Sequence, residues 1–166
     1  MHSSPTMQTR NNTYLVLGVA TFLVFLDQLS KFAIESWLAP GESARILGEV
    51  LKFTLIYNDA AALSLGVGAT WPITVFSSIA VLALIWFGPR SKTTVWLWVS
   101  ALILGGATGN LIDRLFREPG FANGHVVDFI DVSFNFAVFN IADVFIMMGV
   151  ILGLYRTFRG DELGGR

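Results

Sequence analysis

The chain has 166 residues, 54% of them hydrophobic and 14% charged, with a net charge of −1 and a mean hydropathy of +0.62. Soluble domains have about a quarter of their residues charged, so this is an integral membrane protein, sized for one compact bundle rather than two domains. The near-balanced charge excludes a nucleic-acid partner, which needs a concentrated basic face. The lack of cysteine excludes disulfides, thiolate chemistry and lipidation of the chain itself as a lipoprotein.

Residues 1–13, MHSSPTMQTRNNT, are polar and read as a disordered tail, with Met7 an alternative start. Tyr14 to Trp37 is the first apolar segment and contains Asp27 and Lys31. Its run before Asp27 imitates the apolar part of a signal peptide. The preceding residues are only weakly basic, however, and no small-x-small cleavage site follows, so a retained helix is expected. Pro40-Gly41 opens a non-helical region, and residues 38–70 form one segment outside the membrane core. Within it, residues 49–64 read EVLKFTLIYNDAAALS. Leu51, Phe53, Leu55 and Tyr57 alternate with Lys52, Thr54, Ile56 and Asn58, a half-buried strand signal that Ile56 interrupts. This stretch is expected to lie on the bilayer surface.

Trp71 to Gly88 is a second span with Pro72 in its first turn. It has about the 20-residue length that a bilayer requires. Gly88-Pro89-Arg90-Ser91-Lys92 makes a tight basic turn. Thr94 to Phe116 is a third span, with Trp96 and Trp98 where interfacial tryptophan belongs. Phe134 to Phe158 is the fourth, ending in Arg156 and Arg159 ahead of a tail over residues 159–166. Gly105-Gly106 with Gly109, and Gly149 with Gly153, allow close helix approach. Arg10, Arg90, Lys92, Arg156, Arg159 and Arg166 are concentrated on one side. Lys31, Arg45, Lys52, Arg114 and Arg117 are spread over longer loops on the other. The positive-inside rule then puts both termini in the cytoplasm and the polar residues toward the outer face.

With only His2 and His125 and no HExxH spacing, zinc proteolysis is not expected. There is no GxSxG elbow, and His125 has no obvious serine partner. No cofactor or metal is expected. Carboxylates are left as the chemically capable groups, and ionisable residues in or beside hydrocarbon are functional candidates by default. They gather in residues 105–143, GGATGNLIDRLFREPGFANGHVVDFIDVSFNFAVFNIAD.

Asp128, in the short β-branched segment from His125 to Ile130, and Asp143, about a turn into the last helix, form the candidate catalytic pair. Two carboxylates sharing a site cannot both ionise, so one stays protonated while the other acts as base. The ionised one deprotonates a water between them; the protonated one polarises the scissile carbonyl and then protonates the amine. The bland alternatives are a solvated loop acid for Asp128 and a helix N-terminal acid for Asp143. Asn140 shares a helix face with Asp143, either hydrogen-bonding a carboxylate or substrate, or simply capping the helix. Asn110, Asp113 and Arg114 sit at i, i+3 and i+4. Arg114 either pairs with Asp113, steadies an ionised aspartate, or snorkels at a helix end. Asp27 and Lys31, at i and i+4, either neutralise each other or, with Gln28 and Ser30, line a substrate entrance; a structural or positioning role is favoured. Asp131 is a weaker alternative acid. Glu35, Glu42, Glu49 and Glu118 read as solvated surface acids, and His125 as a loop or interface histidine, not a ligand. A competing, non-enzymatic reading is a channel or transporter subunit with Asp27, Asp113 and Asp143 as a proton or cation relay, and a catalytically dead homologue is a third.

Four separated blocks carry a resemblance. They are Asp27-Gln28-Leu29-Ser30-Lys31; Tyr57-Asn58 with Ala61-Ala62; Gly109-Asn110-Leu111-Ile112-Asp113-Arg114; and Val126-Val127-Asp128-Phe129 with Phe139-Asn140-Ile141-Ala142-Asp143. From about Tyr14 to Phe158 the chain resembles lipoprotein signal peptidase (signal peptidase II), a bacterial aspartic protease of the inner membrane. The resemblance implies a mainly α membrane protein: four transmembrane helices with a small extracytoplasmic β-cradle and a periplasmic helix, in one domain over residues 14–158. It implies Asp128 and Asp143 as catalytic residues, with Asn58, Asn110, Arg114, Asn140, Asp27 and Lys31 in support; Asp113 joins them as the acid of the third block. The implied substrate is a diacylglyceryl-modified prolipoprotein, cut just before the lipidated cysteine, in contact with membrane lipids. The implied inhibitor is globomycin, no metal is required, and a monomer is expected. One departure stands out. Where the family commonly has Asn-x-Gly-Ala-Ala-Phe, this chain has Asn58-Asp59-Ala60-Ala61-Ala62-Leu63, losing a glycine's backbone freedom and an aromatic ring.

Overall fold

Among the described residues, four α-helices and three strands follow one another: α1 (Pro5–Trp37), β1 (Ser43–Leu47), β2 (Leu51–Asn58), α2 (Trp71–Phe87), α3 (Thr94–Phe116), β3 (Val126–Val132) and α4 (Ile141–Phe158), with a short 3-10 turn over Gly88–Arg90 after α2. The structure, a computed structural model, describes residues 5–59, 70–132 and 136–162. The Ala60–Leu63 departure lies outside them. No fifth α-helix occurs among the described residues.

Among the described residues, four helices are long and apolar enough to cross a membrane. The third is central. Half of its apolar window is buried, against 17–22% for the others, and it packs against α1, α2 and α4. Val16 and Ala20 of α1, Val81 of α2, and Leu97, Ala101, Leu104 and Leu111 of α3 make the core of the bundle. Phe22, Phe25, Phe76, Leu82, Met147 and Ile151 stay exposed, as expected when the surrounding solvent is lipid and every backbone group is satisfied inside its own helix. Helix approach depends on small residues. A Cβ on Gly106 would stand 2.3 Å from the Ala142 carbonyl oxygen, and one on Gly109 2.6 Å from Asp27 Oδ2.

Three antiparallel strands in the order β1-β2-β3 form a small sheet. Between β2 and β3 the register shifts after Phe53, then resumes as Ile56 opposite Asp128, Tyr57 opposite Val127 and Asn58 opposite Val126. Leu55, Val127 and Phe129 pack with Ile34 and Leu38 from the end of α1. That apolar layer fixes which face of β3 turns to α1 and so sends Asp128 to the other face.

Three sequence expectations need correction. Residues from 5 to 13, expected to be disordered, continue α1, and the buried Asn12 amide donates to the carbonyls of Pro89 and Ser91, tying the helix start to the α2–α3 turn. β1, for which no strand was expected, pairs with β2; SARIL does not alternate cleanly. The fourth helix starts at Ile141, not Phe134. Phe139 instead bridges to Ile130, extending the sheet by one residue before the helix begins.

Candidate active site

Asn140 determines how the last helix begins. Extended itself, it caps α4: its side-chain oxygen accepts from the Asp143 amide at 3.0 Å, while Asp143 Oδ2 accepts from the Asn140 amide at 3.1 Å. This reciprocal box satisfies two donors that a helix N-terminus otherwise leaves free. The Asn140 side-chain nitrogen remains free to reach outward, donating to Asp128 Oδ1 at 2.6 Å and to Asn110 Oδ1 at 3.1 Å. Asn110 in turn donates to Asp143 Oδ1 at 2.8 Å. Both expectations for Asn140 therefore hold at once: it is the cap and it links the two aspartates.

Asp128 is 3% exposed. Its second oxygen accepts from Asn58 Nδ2 at 2.8 Å, across the register pairing at the end of β2. Burial pushes the Asp128 carboxyl up to about 6, and nearby Asp143 pushes the same way, against the amide hydrogen bonds from Asn58 and Asn140. A buried acid with a charged neighbour of like sign is the environment in which a carboxyl keeps its proton near neutrality.

Beneath the pair lies an ionic cluster. Lys31 Nζ stands 2.8 Å from Asp27 and 2.7 Å from Asp113, all three side chains fully buried, and also donates to Asn110 Oδ1 at 3.1 Å. Asp27 Oδ1 accepts from the Ala142 amide at 3.0 Å. Gln28 donates to Asp27, to Asp113 and to the Gly109 carbonyl. The cluster thus joins α1, α3 and the start of α4. Neither Asp27 nor Lys31 has exposed side-chain surface, which favours the structural or positioning role over a place at a substrate entrance. Removing one member would leave buried charge without a partner, which costs about 3–5 kcal/mol.

Asp113 pairs with Lys31 and, at 2.7 Å, with Arg117, not with its neighbour Arg114. The Arg114 Nη1 is buried without a hydrogen-bond partner, within electrostatic reach of Asp128 and Asp143. Of the remaining acids, Asp131 accepts from Thr54, on the sheet and away from this network, and Glu49 pairs in the open with Arg45 and Lys52. Glu35 is not the solvated acid that its place in the chain suggests: Arg117 Nη1 lies 2.6 Å from it and the Tyr57 hydroxyl 3.1 Å. Arg117, counted from sequence only toward membrane topology, is the residue that was missed; its i, i+4 spacing from Asp113 was the available signal. Among the described residues, no three His, Cys, Asp or Glu side chains group as metal ligands.

Comparison with known proteins agrees over most of the chain. A family model described as signal peptidase (SPase) II matches residues 19–159. The lipoprotein signal peptidase of Leifsonia xyli subsp. xyli is 43% identical over 156 residues, covering 92% of this chain and 71% of that protein. The one from Mycolicibacterium smegmatis is 42% identical over 162 residues, covering 96% and 68%. A bacterial membrane enzyme solved by the in meso method at 2.3 Å superposes with a TM-score of 0.74 at 29% identity, covering 87% of each chain.

Proposed function

This chain belongs to the signal peptidase II family of membrane proteases, and on that premise we propose that it cuts diacylglyceryl-modified prolipoproteins just before the lipidated cysteine, using a water activated between Asp128 and Asp143. The observation that carries this reading is Asn140, which hydrogen-bonds both carboxylates. One residue that holds two acids, Asp128 through its side-chain amide and Asp143 through its main-chain amide, with Asp128 buried and its carboxyl up to about 6, supports a shared-proton pair.

In this mechanism Asp128 holds the proton and Asp143, at the positive end of α4, is the carboxylate. Asp143 takes a proton from the water as its oxygen bonds to the scissile carbonyl carbon. Asp128 donates a hydrogen bond to the carbonyl oxygen, where negative charge develops. When the C–N bond breaks, the leaving nitrogen takes a proton from the pair. The products are the free signal peptide, with its new carboxylate, and a lipoprotein beginning at the lipidated cysteine. Arg114, with a buried unpaired nitrogen, supplies positive charge beside the pair, and Asn110 keeps Asp143 turned toward it.

The basic residues at the chain ends and in the turn after α2 support both termini in the cytoplasm, and the catalytic pair then faces the extracytoplasmic side. A substrate anchored by its own acyl chains and signal helix reaches such a site laterally, with water entering from outside. By family resemblance globomycin blocks this site.

The test is cleavage of a purified diacylglyceryl-prolipoprotein in detergent by wild type, Asp128→Asn and Asp143→Asn. Cleavage before the lipidated cysteine by wild type, and none by either folded variant, is expected. Full activity in either variant would dismiss the pair as drawn.

A further inference from the structure

Tyr57 and Asn58 are neighbours on β2, so their side chains leave opposite faces of the sheet. On one face Asn58 donates to Asp128. On the other, the Tyr57 hydroxyl donates to Glu35 Oε1 at 3.1 Å, and the same oxygen accepts from Arg117 Nη1 at 2.6 Å. Arg117 Nε donates to Asp113 Oδ1 at 2.7 Å, and Asp113 Oδ2 accepts from the Val127 amide at 3.3 Å. Tyr57 and Val127 are register partners. Both halves of that cross-strand pair therefore end on a single Glu35–Arg117–Asp113 chain, and the residues that follow them, Asn58 and Asp128, form the hydrogen bond of the catalytic face.

This stretch of β2 needs an anchor. The register shifts between Phe53 and Ile56 before pairing resumes over the last three residues of β2, so an irregularity separates this short paired stretch from the rest of the ladder. Pinning from the α1 side adds to those three pairs. Arg117 keeps its charge in this position: burial works against it, but hydrogen bonds to Glu35 and Asp113 outweigh that and strengthen it. Burial and the bond to Glu35 also push the Tyr57 hydroxyl up, keeping it a donor. Glu35, Tyr57 and Arg117 line a cleft of about 640 Å³ with Phe116, Pro119 and His125, so this end of the chain is reachable from water, while Asp113 joins its other end to the buried Lys31 cluster.

We propose that Glu35, Arg117 and Tyr57 are positioning residues that hold the Asn58–Asp128 hydrogen bond in register from the far face of the sheet. The inference rests on the reading of Asp128 as a catalytic group. It separates turnover from binding: loosening the clamp misplaces an acid by a fraction of an ångström without removing substrate contacts.

The experiment compares Tyr57→Phe, Glu35→Gln and the double variant with wild type in detergent. Glu49→Gln, which breaks an exposed pair at the β1–β2 turn, is the control. The readouts are kcat and KM for prolipoprotein cleavage, and the midpoint of the infrared carboxyl band that Asp128→Asn removes. Expected for Tyr57→Phe is a loss of about 3- to 10-fold in kcat, with KM within about twofold. The Asp128 midpoint should move upward by roughly half a unit as the Asn58 amide releases its hold. The double variant should be no worse than the worse single variant, because the two residues act through one path. Tyr57→Phe deletes one hydroxyl, so it carries the test even where Glu35→Gln folds poorly. An unchanged kcat and midpoint in folded Tyr57→Phe overturns the inference while leaving the catalytic reading intact. Full activity in Asp128→Asn overturns the catalytic reading instead.

Discussion

The raised carboxyl of Asp128 has a thermodynamic consequence that needs no substrate to observe. Its ordinary value of 3.8 becomes about 6 in the folded protein. Between those values the folded chain keeps a proton that the unfolded chain has released. The associated stability is therefore complete below about pH 4 and is lost as pH rises through 6. A gap of about 2 units at about 1.4 kcal/mol each makes roughly 3 kcal/mol, on the order of 6–12 °C in melting temperature for a chain of this size. Asp128→Asn abolishes the titration. It also turns an NH2 toward one of the two amide donors that Asp128 accepts from, a cost of about 1–3 kcal/mol, but that cost is the same at every pH. Melting of both proteins, followed by tryptophan fluorescence in detergent from pH 4 to 7.5, separates the two effects. Wild type should lose stability relative to the variant as pH rises, with the change centred between 4 and 6. Carboxylates with salt bridges tilt both curves equally and cancel in the difference. Parallel curves would refute the claim that burial holds this carboxyl neutral, and with it the assignment of the proton to Asp128.

Other consequences are simpler. Lys31→Met leaves Asp27 and Asp113 buried without their shared cation and should destabilise the fold by about 3–5 kcal/mol; a melting temperature near wild type would contradict the buried cluster. Asn140→Ala removes a helix cap worth about 1 kcal/mol together with the link between the carboxylates. Cleavage should therefore fall at least about 100-fold, far beyond what the loss of stability explains, in an assay on folded enzyme. Gly106→Ala forces a methyl to within 2.3 Å of the Ala142 carbonyl, whereas Gly18→Ala meets nothing within 4 Å. Only the first should lower the melting temperature, by several degrees, and equal effects would show that the α3–α4 contact is looser than described.

The four spans were legible because apolar runs of bilayer length are the strongest pattern a sequence carries. α3 runs over the residues expected of it, Thr94–Phe116. What local pattern could not reveal was tertiary. The helical start of α1 depends on Asn12 finding the Pro89 and Ser91 carbonyls, about 80 residues away. The late start of α4 depends on Phe139 finding Ile130, which leaves Asn140 as the cap. The site residues were legible as types, since each buried polar group in apolar sequence demands a partner, but the partners were not. Spacing put Arg117 one turn from Asp113, but only the packing of α1 against α3 brings Lys31 to one of the Asp113 oxygens and leaves Arg117 for the other. Glu35 looked solvated because its two partners come from β2 and from the end of α3.

The alternative of a proton or cation relay fails on the distribution of the same groups. Asp27, Asn110, Asp113, Asn140 and Asp143 are joined by hydrogen bonds or through the shared Lys31 ammonium, so they lie at one level of the bundle. Along α1 the next charged residue toward the N-terminus is Arg10, and residues 11–26 contain neither acid nor base. Sixteen helical residues at about 1.5 Å each leave roughly 24 Å without a group to receive a proton. α2 has no charged residue, and α3 and α4 are uncharged through the lengths that lead away from Asp113 and Asp143. A relay needs stations across the membrane. Among the described residues, the buried charged groups of the four helices gather in this one layer, with apolar packing beneath it. The proposed hydrolysis needs polar groups at one level only, and that is the distribution these residues have, whereas a relay would need further stations along the same helices.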